Sequence, residues 1–236
     1  MLVIITTVKY IVGNWKSNQN LTQSFLWLDD LIALKPKITP DKKVILCLPF
    51  TDIATFNQKL NESGLPIEVA AQNVSHMAPG KHTGEINAQM LSELVSYCIV
   101  GHHERRADFA ETSDVVATKA SFLLENSITP IICLDKPYLD QQIKSLFTQG
   151  VEVSKCIFVY EPASAIGTGN SIDPKDANHV AHQISFLTDY LSPVLYGGSV
   201  SPDNIKSYMD EPNISGVLVG TDSLNPTLFA DIINAT

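Results

Sequence analysis

Eight short apolar runs recur along this chain of 236 residues, each followed by a stretch with helical character. The runs cover 10–14, 44–48, 67–71, 97–101, 130–134, 156–160, 193–196 and 216–220. Each is short, apolar and free of helical period, as a buried strand is. Between them, Leu21, Phe25, Leu28 and Ile32 recur at spacings of three or four. Ile86, Met90 and Leu94 do the same, as do Val180, Ile184, Leu187 and Leu191. Ser113, ahead of Asp114 and Val115, reads as an N-cap. The segment 137–150 is weakly patterned and predicts a reduced helix. Eight such units, with no linker, low-complexity segment or charge block, predict an α/β protein, a (β/α)8 barrel of one domain over 1–236. Residues 1–7 read as an N-terminal extension. A doubly wound open sheet shares this periodicity and stays open as the alternative.

Composition narrows the partners. The formal net charge is −9, and no run of Lys or Arg exceeds two residues. That argues against nucleic-acid and membrane-surface binding. An anionic ligand would need local cations or backbone N–H donors to overcome the overall field. The four cysteines, Cys47, Cys98, Cys133 and Cys156, form no C-x-x-C pair and lie in or beside the runs. They read as buried reduced thiols, with no metal and no disulfide expected. The apolar start, Met1 to Val12, lacks a basic leader and a cleavage site and is too short to span a bilayer. A cytoplasmic protein is expected.

In a barrel the carboxyl ends of the strands share one face, and that face carries the chemistry. The polar and glycine-rich features fall on those ends. Asn14 and Lys16 follow the first run; His102, His103 and Glu104 follow the fourth. Glu161 follows the sixth, ahead of a loop with Pro162 at one end and Gly167 and Gly169 at the other. A carboxylate beside apolar surface has its charged form disfavoured and becomes a better base. A loop able to close over it excludes water. A histidine at a helix start stays neutral more readily and can donate a hydrogen bond. The turns Gly197-Gly198-Ser199 and Gly220-Thr221 can present N–H groups to a phosphate. Each feature also has a plain reading: a solvated lysine, a charged strand end, two ordinary turns.

The motifs together carry more than any one of them. Gly13-Asn14-Trp15-Lys16, Ala71-Gln72-Asn73-Val74-Ser75, Thr83-Gly84-Glu85-Ile86, Val100-Gly101-His102 and Glu104-Arg105-Arg106 are followed by Tyr160-Glu161-Pro162, Ala165-Ile166-Gly167-Thr168-Gly169, Tyr196-Gly197-Gly198-Ser199-Val200 and Leu218-Val219-Gly220. In this order, from first strand to last, they resemble the triosephosphate isomerase family. The resemblance implies a TIM barrel that interconverts dihydroxyacetone phosphate and glyceraldehyde 3-phosphate without a cofactor. It implies Glu161 as the base and His102 as the neutral electrophile, a pairing for which this family is itself the standard example. It further implies Lys16 as the source of positive charge, Asn14 as a substrate-orienting group and Glu104 as a carboxylate supporting Lys16 and His102. Gly167, Ser199, Gly220 and Thr221 match the positions that grip the phosphate. Thr83, Gly84 and Glu85 match a protruding loop that enters a neighbouring subunit, with Glu85 and Arg105 meeting near that interface. A homodimer is implied.

The sequence departs from the family at four places. His103 stands for the usual Ser, which suggests a second titrating side chain holding Glu161. Ser164 stands for a Trp in the hinge of the loop, so a bulky anchor is lost. Thr221 stands for a Gly in the phosphate turn. Asp135-Lys136 stands for Gly-Glu, and Asp135 lacks the freedom of Gly to take positive φ. Two other functions fit the same fold: a non-catalytic barrel or scaffold that binds a phosphorylated metabolite, and an isomerase of another phosphosugar.

Overall fold

The computed structural model describes residues 8–165 and 169–236, so the expected extension at 1–7 lies outside the described residues. The strands are β1 (Lys9–Asn14), β2 (Lys42–Leu48), β3 (Ile67–Ala71), β4 (Tyr97–Val100), β5 (Thr129–Leu134), β6 (Ile157–Tyr160), β7 (Val194–Tyr196) and β8 (Gly216–Val219). Each pairs in parallel with the next, and β1 pairs with β8, closing a barrel. That closure rules out the open sheet.

The strand period of two sorts side chains into two layers. Val12, Ile45, Cys47, Ala70, Ile99, Ile131, Cys133, Val159, Leu195 and Leu218 fill the interior. Ile11, Val44, Leu46, Val69, Val100, Ile132, Phe158 and Val217 point outward under the helices. Burying side chains of this size stabilises by about 1.5–3 kcal/mol each. Polar groups close the amino-terminal end, where Lys43 Nζ lies 2.9 Å from Glu68 Oε1 and 5.8 Å from the Tyr97 ring centroid. At the β1–β8 seam, a methyl on Gly216 would lie 2.7 Å from Tyr10 Cβ and closer still to the Tyr10 carbonyl oxygen. Only glycine lets the two strands meet there.

The helices are α1 (Leu21–Leu34), α2 (Ile53–Ser63), α3 (Ala88–Leu91), α4 (His103–Asp108), α5 (Ser113–Glu125), α6 (Leu139–Thr148), α7 (Pro174–Leu187), α8 (Ile205–Met209) and α9 (Pro226–Ala235). Asn20 starts α1 with a reciprocal cap: its Oδ1 accepts Gln23 N–H at 3.1 Å, and Gln23 Oε1 accepts Asn20 N–H at 2.9 Å. The cap of α5 is Thr112, whose Oγ1 accepts Val115 N–H, and Ser113 is the first helical residue. The expected cap was therefore one position late. Helix α6 has ten residues against fourteen in α1, yet it buries Leu139, Gln142, Ile143 and Leu146 along one face. The shortest helices are α3, with four residues, and α8, with five. The pattern Ile86–Met90–Leu94 extends beyond α3, and Met90 is exposed. Leu191 lies past the end of α7 and is exposed too.

All four cysteines are free and buried. Burial pushes every one of their thiols up, Cys156 to about 12.

Candidate active site

The carboxyl ends of the strands converge on a cavity of 310 Å³ lined by Lys16, His102, Glu161, Gly197, Ser199, Leu218, Gly220, Thr221 and Asp222, among others. Lys16 reaches it from the turn after β1. Its backbone is left-handed, with φ of 53°, a conformation that costs a residue with a side chain on the order of 1–3 kcal/mol. Asn14, buried at the end of β1, accepts the Lys16 N–H on Oδ1 at 3.0 Å and holds that turn. Lys16 Nζ lies 3.0 Å from Glu104 Oε1. Both groups are partly exposed, so the pair adds little stability and mainly orients the lysine.

His102 caps α4, and its Nδ1 accepts Glu104 N–H at 3.3 Å. That bond requires the lone pair on Nδ1. In the neutral ring the proton then sits on Nε2. The Glu104 carboxylate is 3.6 Å from Nδ1, outside hydrogen-bonding distance. Nε2 faces Glu161 Oε1 at 3.3 Å.

Glu161 follows β6 and is 1% exposed. Its Oε2 accepts the N–H of His103 at 3.3 Å. The contact at residue 103 thus comes from the main chain, which any residue there supplies, rather than from the imidazole expected to hold Glu161. Oε1 accepts no hydrogen bond of good geometry among the described residues, with the His102 ring 3.3 Å away and the Cys133 thiol beside the carboxylate. A buried carboxylate oxygen in that state is an acceptor with unused capacity. Cys133 lies against Glu161 from inside the barrel; burial, then the charge of Glu161, push that thiol up, so it stays protonated.

Residues after β6 and β7 hold one another. Ala165 N–H donates to Pro162 O at 2.8 Å, and Ser199 Oγ donates to Ala165 O at 2.6 Å. Tyr196 Oη accepts Ile172 N–H at 3.2 Å and stacks on Tyr208, with centroids 4.2 Å apart. After β8, Thr221 opens a 3₁₀ turn spanning Thr221–Leu224 and has no positive φ, so its Cβ is accommodated. Asp135 has φ of −136°, so the expected difficulty with positive φ does not arise.

Of the residues singled out from sequence, Lys16, His102, Glu161, Ser199, Gly220 and Thr221 share one cavity. Asn14 and Glu104 line an adjoining recess of 330 Å³ together with Lys16 and His102. Gly167 lies outside the described residues.

Three groups escaped sequence reasoning. Asn204 lines the cavity and braces the turn after β7, donating to Ser199 O at 3.0 Å and accepting Ser201 N–H at 2.9 Å. Asp222 also lines the cavity, and burial raises its carboxyl from its ordinary value. Glu111 is buried behind α4, where it accepts Gly101 N–H at 3.0 Å and pairs with Arg105 at 2.8 Å and with the buried Lys119. Lys119 in turn donates to Asn73 at 2.7 Å. A Glu and a Lys eight residues apart, flanking an N-cap, were the available signal for that pair.

A family model described as triosephosphate isomerase matches residues 9–236. A triosephosphate isomerase of Nostoc sp. (strain PCC 7120 / SAG 25.82 / UTEX 2576) is 38% identical over 238 residues, covering 95% of this chain and 97% of its own. One from Prochlorococcus marinus (strain MIT 9312) is 37% identical over 236 residues, with the same two shares. One from Synechococcus sp. (strain JA-3-3Ab) is 37% identical over 244 residues, with shares of 95% and 93%.

Proposed function

The chain belongs to the triosephosphate isomerase family, and on that premise we propose how its barrel mouth carries out the reaction. The chain is an aldose–ketose isomerase that interconverts dihydroxyacetone phosphate and D-glyceraldehyde 3-phosphate through an enediolate. Glu161 takes the proton from the carbon next to the carbonyl. The C–H electron pair becomes the carbon–carbon double bond, and the carbonyl electrons move onto oxygen. His102 meets that oxygen with Nε2–H, and Lys16 supplies positive charge as the oxyanion develops. His102 gives its Nε2 proton to that oxygen and takes the proton of the neighbouring hydroxyl in exchange. The electrons left on the second oxygen form the new carbonyl, and the double-bond pair takes the proton back from Glu161 at the former carbonyl carbon, which completes the transfer. Asn14 and Glu104 hold Lys16 in place. Ser199, Gly220 and Thr221 grip the phosphate, and we assign Gly167 to the same group. The phosphate is remote from the reacting carbons, so its binding energy serves positioning.

The observation that carries this reading is the buried Glu161 carboxylate, 3.3 Å from His102 Nε2 in a cavity shared with Lys16. A non-catalytic phosphate-binding barrel has no use for that trio together. Turnover of glyceraldehyde 3-phosphate, followed through a coupled dehydrogenase, tests it. The Glu161→Gln variant should lose on the order of 10²–10⁴-fold in kcat. A variant as active as the parent would remove Glu161 from the role of base.

The protein is also proposed to work as a homodimer in the cytoplasm. Phe50 and Phe109 are exposed and border the recess beside Lys16 and His102, which would receive the loop around Thr83–Glu85 from a second copy. Within one chain Arg105 pairs with Glu111 rather than with Glu85. Among the described residues no helix is long and apolar enough to cross a membrane. Sedimentation equilibrium should give twice the chain mass of 25.8 kDa, and a single-chain mass at micromolar concentration would refute the dimer.

A further inference from the structure

The backbone on either side of Glu161 is tied to the end of β5. Glu161 N–H donates to Leu134 O at 2.7 Å. Two residues on, Ala163 N–H donates to Asp135 Oδ2 at 3.1 Å. The other oxygen of that carboxylate, Oδ1, accepts Lys136 N–H at 2.7 Å. Asp135 is 9% exposed, so both bonds are largely shielded from water. Between the two anchors lies Pro162, whose ring fixes φ. Further along, Ala165 N–H returns to Pro162 O at 2.8 Å, which leaves Ala163 N–H to Asp135. Ala163 and Ser164 are exposed, and Ser164 brings no bulky side chain to bury.

We propose that Asp135 is a positioning residue for the isomerisation. Its carboxylate fixes the chain immediately after Glu161, and so sets where the Glu161 carboxylate stands in the cavity. The inference rests on the isomerase reading given above. A glycine at residue 135 has no side chain with which to make this bond, and the anchor at Ser164 is missing. Asp135 therefore gives the hinge, through the bond from Ala163 N–H, a tie that Ser164 does not provide by packing, and the bond from Lys136 N–H holds its carboxylate in place. Ser199, Gly220 and Thr221 stand on the turns after β7 and β8, so loss of the Asp135 bond should fall on the chemical step more than on binding.

Steady-state kinetics of Asp135→Ala and Asp135→Asn, with inhibition by inorganic phosphate, test this. Asp135→Ala should lower kcat by about ten- to a hundredfold, the usual result of a displaced catalytic group. KM and the phosphate inhibition constant should change by less than about twofold, because uniform binding is untouched. Asp135→Asn keeps one acceptor for two N–H groups and should fall between Ala and the parent. A kcat at the parent's value in either variant, even with a lower Tm, would reduce Asp135 to a structural cap and overturn the proposal. A raised KM at unchanged kcat would also overturn it. If Asp135→Ala does not fold, Asp135→Asn decides by the same readings. No turnover by the parent protein would instead defeat the isomerase reading, an outcome separate from these.

Discussion

Gly197 stands beside the proposed base and has no room for a side chain. A methyl there would lie 2.7 Å from Val159 Cγ1 and 2.9 Å from Glu161 Cγ. The sequence put this glycine in a turn that can present N–H groups to a phosphate; the structure adds that Glu161 occupies the space beside it. Gly197→Ala should therefore act on Glu161 and lower kcat by about ten- to a hundredfold, measurable in the same coupled assay at saturating substrate. A variant with undiminished kcat would mean that Glu161 tolerates the displacement. At this scale the candidate site was largely legible, because Lys16, His102 and Glu161 each follow a strand within two residues. The role of His103 was not. A residue name carries no sign of whether its side chain or its N–H makes the contact, and here the N–H does.

The short helix α4 carries His102 at its cap, and a buried ionic group behind α4 fixes it in place. Glu111 accepts from Gly101, Arg105 and Lys119. Burial pushes its carboxyl up, but the cations beside it outweigh burial and hold it below its ordinary value of 4.5. A depressed carboxyl stabilises the folded state above the unfolded value, and that contribution is lost as pH falls through the folded one. Stability should thus decline below about pH 4.5, and the decline should be shallower in Glu111→Gln, as read from denaturant midpoints against pH. Glu111→Ala should cost roughly 3–5 kcal/mol, since it leaves Lys119 buried and uncompensated. This group was hard to read from sequence because charged residues usually face water. The strands were easy for the opposite reason: a buried parallel strand is apolar on both faces. The limits of α3 were lost because Ile86 and Leu94, which pack from the flanking loops, share the helical spacing without belonging to the helix.

Closure of the whole barrel depends on one seam. The pairing of β1 with β8 runs from Tyr10↔Gly216 to Gly13↔Val219, and Gly216 leaves no space for a Cβ against Tyr10. Gly216→Ala should push the first and last strands apart and cost about 1–3 kcal/mol, visible as a lowered Tm. An unchanged Tm would show that the seam can shift without loss. Such opening has a natural reporter. Three thiols, Cys47, Cys98 and Cys133, lie in the strands of the closed cylinder, protonated and out of reach of solvent. An alkylating reagent can meet them only when the cylinder breathes. Their labelling rate would therefore count openings of the native protein directly, with no dye or probe added to the chain.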